Sequence, residues 1–390
     1  MNAQRLERIA EMLNAQVNDG TVKGCSALVL KNGEPIYRAN AGMADTARGI
    51  KWENDTIVRL YSMSKPITSA AAMLLLDRGM LDIHDKVEWF LEGFRNQQVL
   101  TENGLEAVKR AVEIKDLLDM TSGLCYPDRG FPAGDRMSDL FDSFYENHFA
   151  GKPTPTVELA NEIGRQPLAF QPGGSWLYGT SADVLGAVIE VATGKKYSDF
   201  LREELFEPLG MTDTGFYVPE EKLCRFAENY EPKDEGLVPC EWQHLGLTDF
   251  HRKPPAFESG GAGLVSTLDD YARFATMLIN MGEYKGRRIL SENAVRWMTT
   301  QSLTAQQKQA YNWDALVGYS YGNLLRIVDD VQAAGPCAHK GAYGWDGWLG
   351  CQFENDPESG YTFLYFIQRC GGLGIRPLRI IKQIVYGAED

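Results

Sequence analysis

The sequence predicts an α/β protein in which one antiparallel sheet, built from both ends of the chain, is flanked by helices. A mainly helical region is inserted between the two ends. Three observations predict this. Cys25-Ser-Ala-Leu-Val-Leu and Pro35-Ile-Tyr-Arg flank Asn32-Gly33, and Asn-Gly between strand-like runs signals a hairpin, because both turn positions need positive φ. Leu349-Gly-Cys-Gln-Phe and Tyr361-Thr-Phe-Leu-Tyr-Phe-Ile read as strands late in the chain, separated by the turn Asn355-Asp-Pro-Glu-Ser-Gly. Between the ends, residues 82–250 alternate short helical patterns with loops rich in Trp, Tyr, Pro and Gly. The expected division is residues 1–62 with 252–390 for the sheet part and 63–251 for the helical part, with a functional site where they meet.

Each element has its own signal. Leu6, Ile9, Leu13 and Val17 recur at helical spacing, and Gly20 ends that helix. In residues 62–79 the run Ala70, Ala71, Met73, Leu74, Leu75, Leu76 favours a buried helix, with Gly79 as its stop. Pro66 fixes where it begins, because proline is tolerated only in the first turn, where backbone donors are unpaired anyway. Ser62 therefore stands at the helix N-terminus. Residues 182–193 form another helix, with Ser181 as N-cap and Gly194 as stop. Residues 268–281 are helical, as are 376–386, where Leu378, Ile381, Ile384 and Val385 make the apolar stripe.

Composition narrows the function. Among 390 residues, 44% are hydrophobic, enough for a core and against disorder. The net charge of −14 repels phosphate backbones and anionic lipids, which argues against nucleic-acid and membrane-surface partners. No apolar run approaches the ~20 residues needed to span a bilayer. The opening MNAQRLERIAEMLNAQV is amphipathic and lacks the apolar stretch of a secretory leader, so a cytoplasmic location is expected. Seven scattered cysteines without a Cys-x-x-Cys pair read as reduced, packed thiols, and no metal or cofactor is expected.

The phosphate-binding, dinucleotide, zincin and G-x-S-x-G signatures are absent. One reactive pattern is present: Ser62-Met63-Ser64-Lys65. Taken alone it is weak, since Ser62 could be a cap and Lys65 a solvated cation. On a helix, however, residues three apart share a face, so the ammonium can reach the hydroxyl. The helix N-terminus also favours developing negative charge. A hydroxyl, an adjacent proton-handling group and a positive local potential are what an activated nucleophile requires.

The segment Asp55-Thr-Ile-Val-Arg-Leu-Tyr-Ser-Met-Ser-Lys resembles the nucleophile region of serine β-lactamase-type enzymes, a family of class C β-lactamases, DD-peptidases and related esterases. Asp116-Leu-Leu-Asp-Met-Thr-Ser-Gly-Leu, Pro208-Leu-Gly-Met-Thr-Asp-Thr-Gly-Phe and Gly261-Ala-Gly-Leu-Val-Ser-Thr match further landmarks in the family's order, from about residue 20 to the end. The resemblance implies a β-lactamase/transpeptidase-like fold and catalysis by Ser62, Lys65 and Tyr178, the last in the place of the family's Tyr-x-Asn. It also implies a third element, which the family writes Lys-Thr-Gly, His-x-Gly or Trp-Gly-Gly. His339-Lys340-Gly341 is assigned to it here, with the Ala342 backbone N–H joining that of Ser62 as oxyanion donor. Tyr343, Trp345 and Trp348 follow as acyl-pocket or core residues, with Trp345 the favoured pocket candidate.

Two departures shape the substrate expectation. Thr180 stands where the family's Asn binds a substrate amide, and a hydroxyl cannot present an amide's paired donor and acceptor. His339 stands where a fixed Lys would meet a carboxylate. Both favour an esterase on small esters through an acyl-serine intermediate. The alternatives are a class C-type β-lactamase or a D-amino-acid peptidase, then a non-catalytic binder. Whether Lys65 or Tyr178 takes the serine proton stays open, since unperturbed Lys and Tyr both titrate near ~10.

Overall fold

The computed structural model describes residues 1–313 and 316–389. Its centre is an eight-stranded antiparallel sheet. The strands are β1 (Gly24–Lys31), β2 (Glu34–Asp45), β3 (Ile50–Lys51), β4 (Tyr319–Gly322), β5 (Leu325–Val328), β6 (Tyr343–Asp346), β7 (Gln352–Asp356) and β8 (Tyr361–Ile367). They lie in the order β4-β5-β6-β7-β8-β1-β2-β3, so the two ends of the sequence join where β8 pairs with β1. The Asn-Gly turn is formed as expected: Asn32 has φ 51° and Gly33 φ 82°, and Lys31 pairs with Glu34.

Strand alternation explains how the sheet is covered. Cys25, Ala27 and Val29 of β1, with Phe363, Tyr365 and Ile367 of β8, face one side. There they meet Leu6, Ile9 and Leu13 of α1 (Ala3–Asn18) and Leu378, Ile381 and Val385 of the C-terminal helix Arg376–Tyr386. Leu28, Leu30, Leu364 and Phe366 face the other side and join the main core. Period-two side chains thus bury both faces of the central strands, which is why these strands read as nearly continuous apolar runs.

The main core carries the inserted helices. α2 (Ser64–Asp77) is buried along almost its whole length, so it is apolar all round rather than striped. α3 (Ser181–Thr193) and α4 (Leu268–Ile279) share that core. The helix α3 begins one residue earlier than expected, so Ser181 is its first residue and Thr180 its cap. No helix among the described residues is long and apolar enough to cross a membrane.

Candidate active site

Ser62 lies in a single 3-10 turn, Tyr61–Met63, that runs directly into α2. Tyr61 holds φ 47°, a conformation that costs a non-glycine residue about 1–3 kcal/mol and persists only where the surroundings impose it. The surroundings do impose it. Val58–Arg59 pairs with Val265–Ser266, the Leu264 N–H donates to Ser64 Oγ at 3.1 Å, and the Tyr271 hydroxyl donates to the Met63 carbonyl at 3.0 Å.

Lys65 is fully buried. Its ammonium nitrogen lies 3.1 Å from Ser62 Oγ, 2.8 Å from Tyr126 Oη and 2.8 Å from the Gly261 carbonyl oxygen. Among the described residues no carboxylate lies within ion-pair distance of it. Burial lowers its pKa to about 7, against the pull of Asp183 and Asp346 in the other direction. Asp183, in the first turn of α3, accepts from the Ser259 hydroxyl and, at 3.0 Å, from the Gly261 N–H. It therefore fixes the segment whose carbonyl receives Lys65.

Tyr178 arrives from the loop before α3. Its oxygen accepts from the Trp345 indole N–H at 3.0 Å, and its ring centroid lies 4.6 Å from Lys65 Nζ. Burial pushes the phenol pKa far above its ordinary value, with the Ser62 hydroxyl and the Trp345 indole pulling it back. The hydroxyl, amine and phenol from distant stretches therefore meet in one cluster. Sequence reasoning missed Tyr126, which meets the ring of Tyr178 edge-on at 5.6 Å and accepts from Lys65. The available signal was its place two residues beyond the Asp116–Leu124 landmark.

The residues expected to form the third element are engaged with the protein's own side chains and backbone. His339 lies in the turn before β6 and hydrogen-bonds to Asp356, with Tyr386 bonded to the same carboxylate. The Ala342 N–H already donates to the His339 carbonyl at 3.1 Å, and the Gly341 N–H to that of Val328 at 2.9 Å, so neither is a free oxyanion donor. The strand beside Ser62 is β6, and Trp345-Asp346-Gly347 stands at its end. A Cβ on Gly347 would sit 2.1 Å from the Leu60 carbonyl oxygen and 3.6 Å from Tyr61 Cβ, so this glycine lies against the nucleophile turn. At ~3.3 Å of rise per residue, residues 339–342 stand well short of it along the chain.

Thr180 is also displaced from its expected role. It is fully buried, and its hydroxyl donates to the Cys125 carbonyl at 3.4 Å, so it faces the protein rather than a ligand. Trp345 is buried too, and its indole serves Tyr178 instead of lining an open pocket. No group of three His, Cys, Asp or Glu among the described residues is placed to hold a metal ion. A pocket of about 460 Å³ beneath Phe216 and Tyr217 excludes Ser62 and holds no comparable reactive cluster, so the chemistry is sought at Ser62.

Comparison with known proteins shows the family and the fold. The Beta-lactamase family model matches residues 9–384. Esterase EstB of Burkholderia gladioli is 30% identical over 371 residues, covering 92% of this chain and 88% of that protein. Lovastatin esterase of Penicillium rubens is 26% identical over 379 residues, covering 92% of this chain and 89% of that protein. Two solved structures share the fold. EstCE1, a hydrolase with promiscuous acyltransferase activity, has a TM-score of 0.81 at 24% identity over 98% of this chain and 99% of that one. Simvastatin synthase LovD from Aspergillus terreus has a TM-score of 0.82 at 20% identity over 99% of this chain and 98% of that one. The chain therefore belongs to the Beta-lactamase family and is a serine hydrolase.

Proposed function

We propose that the protein hydrolyses uncharged esters through an acyl-Ser62 intermediate, with Lys65 as general base and Tyr178 as the proton donor to the leaving alcohol. The observation that carries this is the buried Lys65 amine, hydrogen-bonded to Ser62 at 3.1 Å. With its pKa near 7, a large fraction is neutral at neutral pH and can take the serine proton. The same burial keeps Tyr178 a phenol, which suits it to give a proton rather than take one. The alternative left open by the sequence is decided in this reading by opposite consequences of one cause. Burial disfavours charge, so the lysine loses its proton and the tyrosine keeps its own.

The Ser62 N–H at the start of α2 supplies one oxyanion donor. The backbone N–H of Trp348, the residue after Gly347, supplies the second, and each such donor is worth about 3 kcal/mol. Ester specificity is supported by what stands at two positions. Trp345, neutral and bound to Tyr178, occupies the place of the cation that would meet a substrate carboxylate. Thr180 points away from the cleft and offers no amide partner.

The test is labelling by a fluorophosphonate probe together with hydrolysis of short-chain p-nitrophenyl esters. Wild type should do both, and Ser62→Ala neither. Equal behaviour of the two proteins would refute the reading. Turnover of a chromogenic cephalosporin or a D-Ala-D-Ala peptide well above the esters would replace ester by amide as the substrate.

A further inference from the structure

The groups around Ser62 are bordered by two aromatic walls that the chemistry does not use. On the Tyr178 side, Trp313 meets the Tyr178 ring at 5.2 Å and Trp176 at 5.3 Å. On the side of the nucleophile turn, Tyr61 meets Trp348 at 5.3 Å, and Trp348 in turn meets His244 at 4.5 Å and Trp242 at 5.1 Å. Each wall ends in a tryptophan left open to solvent: Trp313 is 42% exposed and Trp242 40%. Large aromatics are costly to leave wet, and one such ring stands at the end of each wall. Trp242 is also held in place, its indole N–H donating to Glu231 at 2.9 Å.

The reaction geometry tells the two walls apart. The leaving oxygen must face its proton donor, so the alcohol half of an ester extends toward Tyr178 and Trp313. The acyl half stays on Ser62 and extends the other way, toward Trp348 and Trp242. Arg252 pairs with Glu228 and Lys253 with Asp249. The protein's net charge of −14 further repels anions.

Resting on the esterase reading above, we propose that the preferred substrates are uncharged esters carrying an aromatic or similarly flat apolar group on each side of the ester bond. Trp242 reads the acyl half and Trp313 the alcohol half. Neither residue touches the reacting atoms; both set specificity through the size of the groups they accept. A well-stacked aromatic contact corresponds to about a tenfold gain in kcat/KM.

The experiment measures kcat/KM for four esters, ethyl acetate, benzyl acetate, ethyl phenylacetate and benzyl phenylacetate, by proton release. Wild type should gain about tenfold from each ring. Trp242→Ala should erase the phenylacetyl gain and keep the benzyl gain, and Trp313→Ala should do the reverse. A wild type that favours ethyl acetate, or variants that slow all four esters alike, would overturn the proposal and leave the tryptophans a surface of another kind. Ser62→Ala run on the same esters tests the catalytic reading separately. If it remains active, that reading has failed whatever the tryptophans do.

Discussion

Two side-chain clusters in this molecule each contain a serine and a tyrosine and differ in how their charge is matched. Around α2 stand Ser62, Lys65, Tyr126 and Tyr178. Where the turn before β6 meets the C-terminal helix stand Ser359, His339, Asp356 and Tyr386. The second cluster looks more like a catalytic set on paper, since it has a histidine beside a carboxylate. Its carboxylate, however, is saturated. Burial raises the Asp356 pKa, but hydrogen bonds from Tyr386, His339 and Ser359 outweigh that and hold it below the ordinary range. The Ser359 hydroxyl is engaged with Tyr386 at 2.9 Å rather than with His339. In the first cluster no carboxylate among the described residues is in ion-pair contact with the amine, and Asp183 and Asp346 act on it only from a distance. Its amine is buried among neutral acceptors, so its proton is loosely held. The comparison sets a buried amine with no carboxylate in ion-pair contact, among the described residues, beside a carboxylate held by several hydrogen bonds.

The sharpest way to break this comparison is to remove the nucleophile. Ser62→Ala should lower kcat for ester hydrolysis by at least ~10⁴-fold, while His339→Ala should leave it within about twofold. Next comes Lys65→Met, expected to cost about 10³-fold in kcat/KM while raising the melting temperature. The sign follows from linkage. Lys65 titrates near 7 when folded and near ~10.5 when unfolded. Between those values the unfolded chain binds more protons, so this group makes stability rise with pH across that window. It costs the fold most below pH 7. Denaturant unfolding of wild type and Lys65→Met at pH 6, 8 and 10 should therefore show a gap that narrows as pH rises.

A third effect is kinetic. If neutral Lys65 is the base, kcat/KM should climb with pH through about 7 and level above it. Tyr126→Phe removes an acceptor that favours the ammonium form, so the midpoint of that climb should move to lower pH, with about a tenfold loss of activity. The smallest effect is His339→Ala on stability. It should lower unfolding free energy by about 1 kcal/mol, because Asp356 keeps Tyr386 as a partner.

What the sequence could and could not reveal follows from range. Local signals were reliable: Pro66 and the Ala-Leu run place α2, Asn32-Gly33 places the hairpin, and the stripe through Leu378 and Ile381 places the C-terminal helix. Ser62 and Lys65 were legible because helical spacing alone brings them together. Tyr178 was legible through resemblance. His339-Lys340-Gly341 and Trp345-Asp346-Gly347 both end in glycine close together in the chain, and the sequence does not show which lies by Ser62. Only strand pairing, in which Trp345 faces Phe353 and the strand lies beside the nucleophile turn, tells them apart. Thr180 was misjudged for a related reason. Its neighbour Cys125 lies 55 residues away in sequence, and no local pattern reports that carbonyl.

Gly347 carries a consequence for how this scaffold can change. With only a hydrogen there, the strand rests directly on the Leu60 carbonyl. Any larger residue would act as a wedge between two halves of the molecule that come from opposite ends of the sequence. The approach of this segment to the nucleophile turn is thus gauged by a single missing methyl group. Whatever else changes around the site, this one position works like the stop on a calliper.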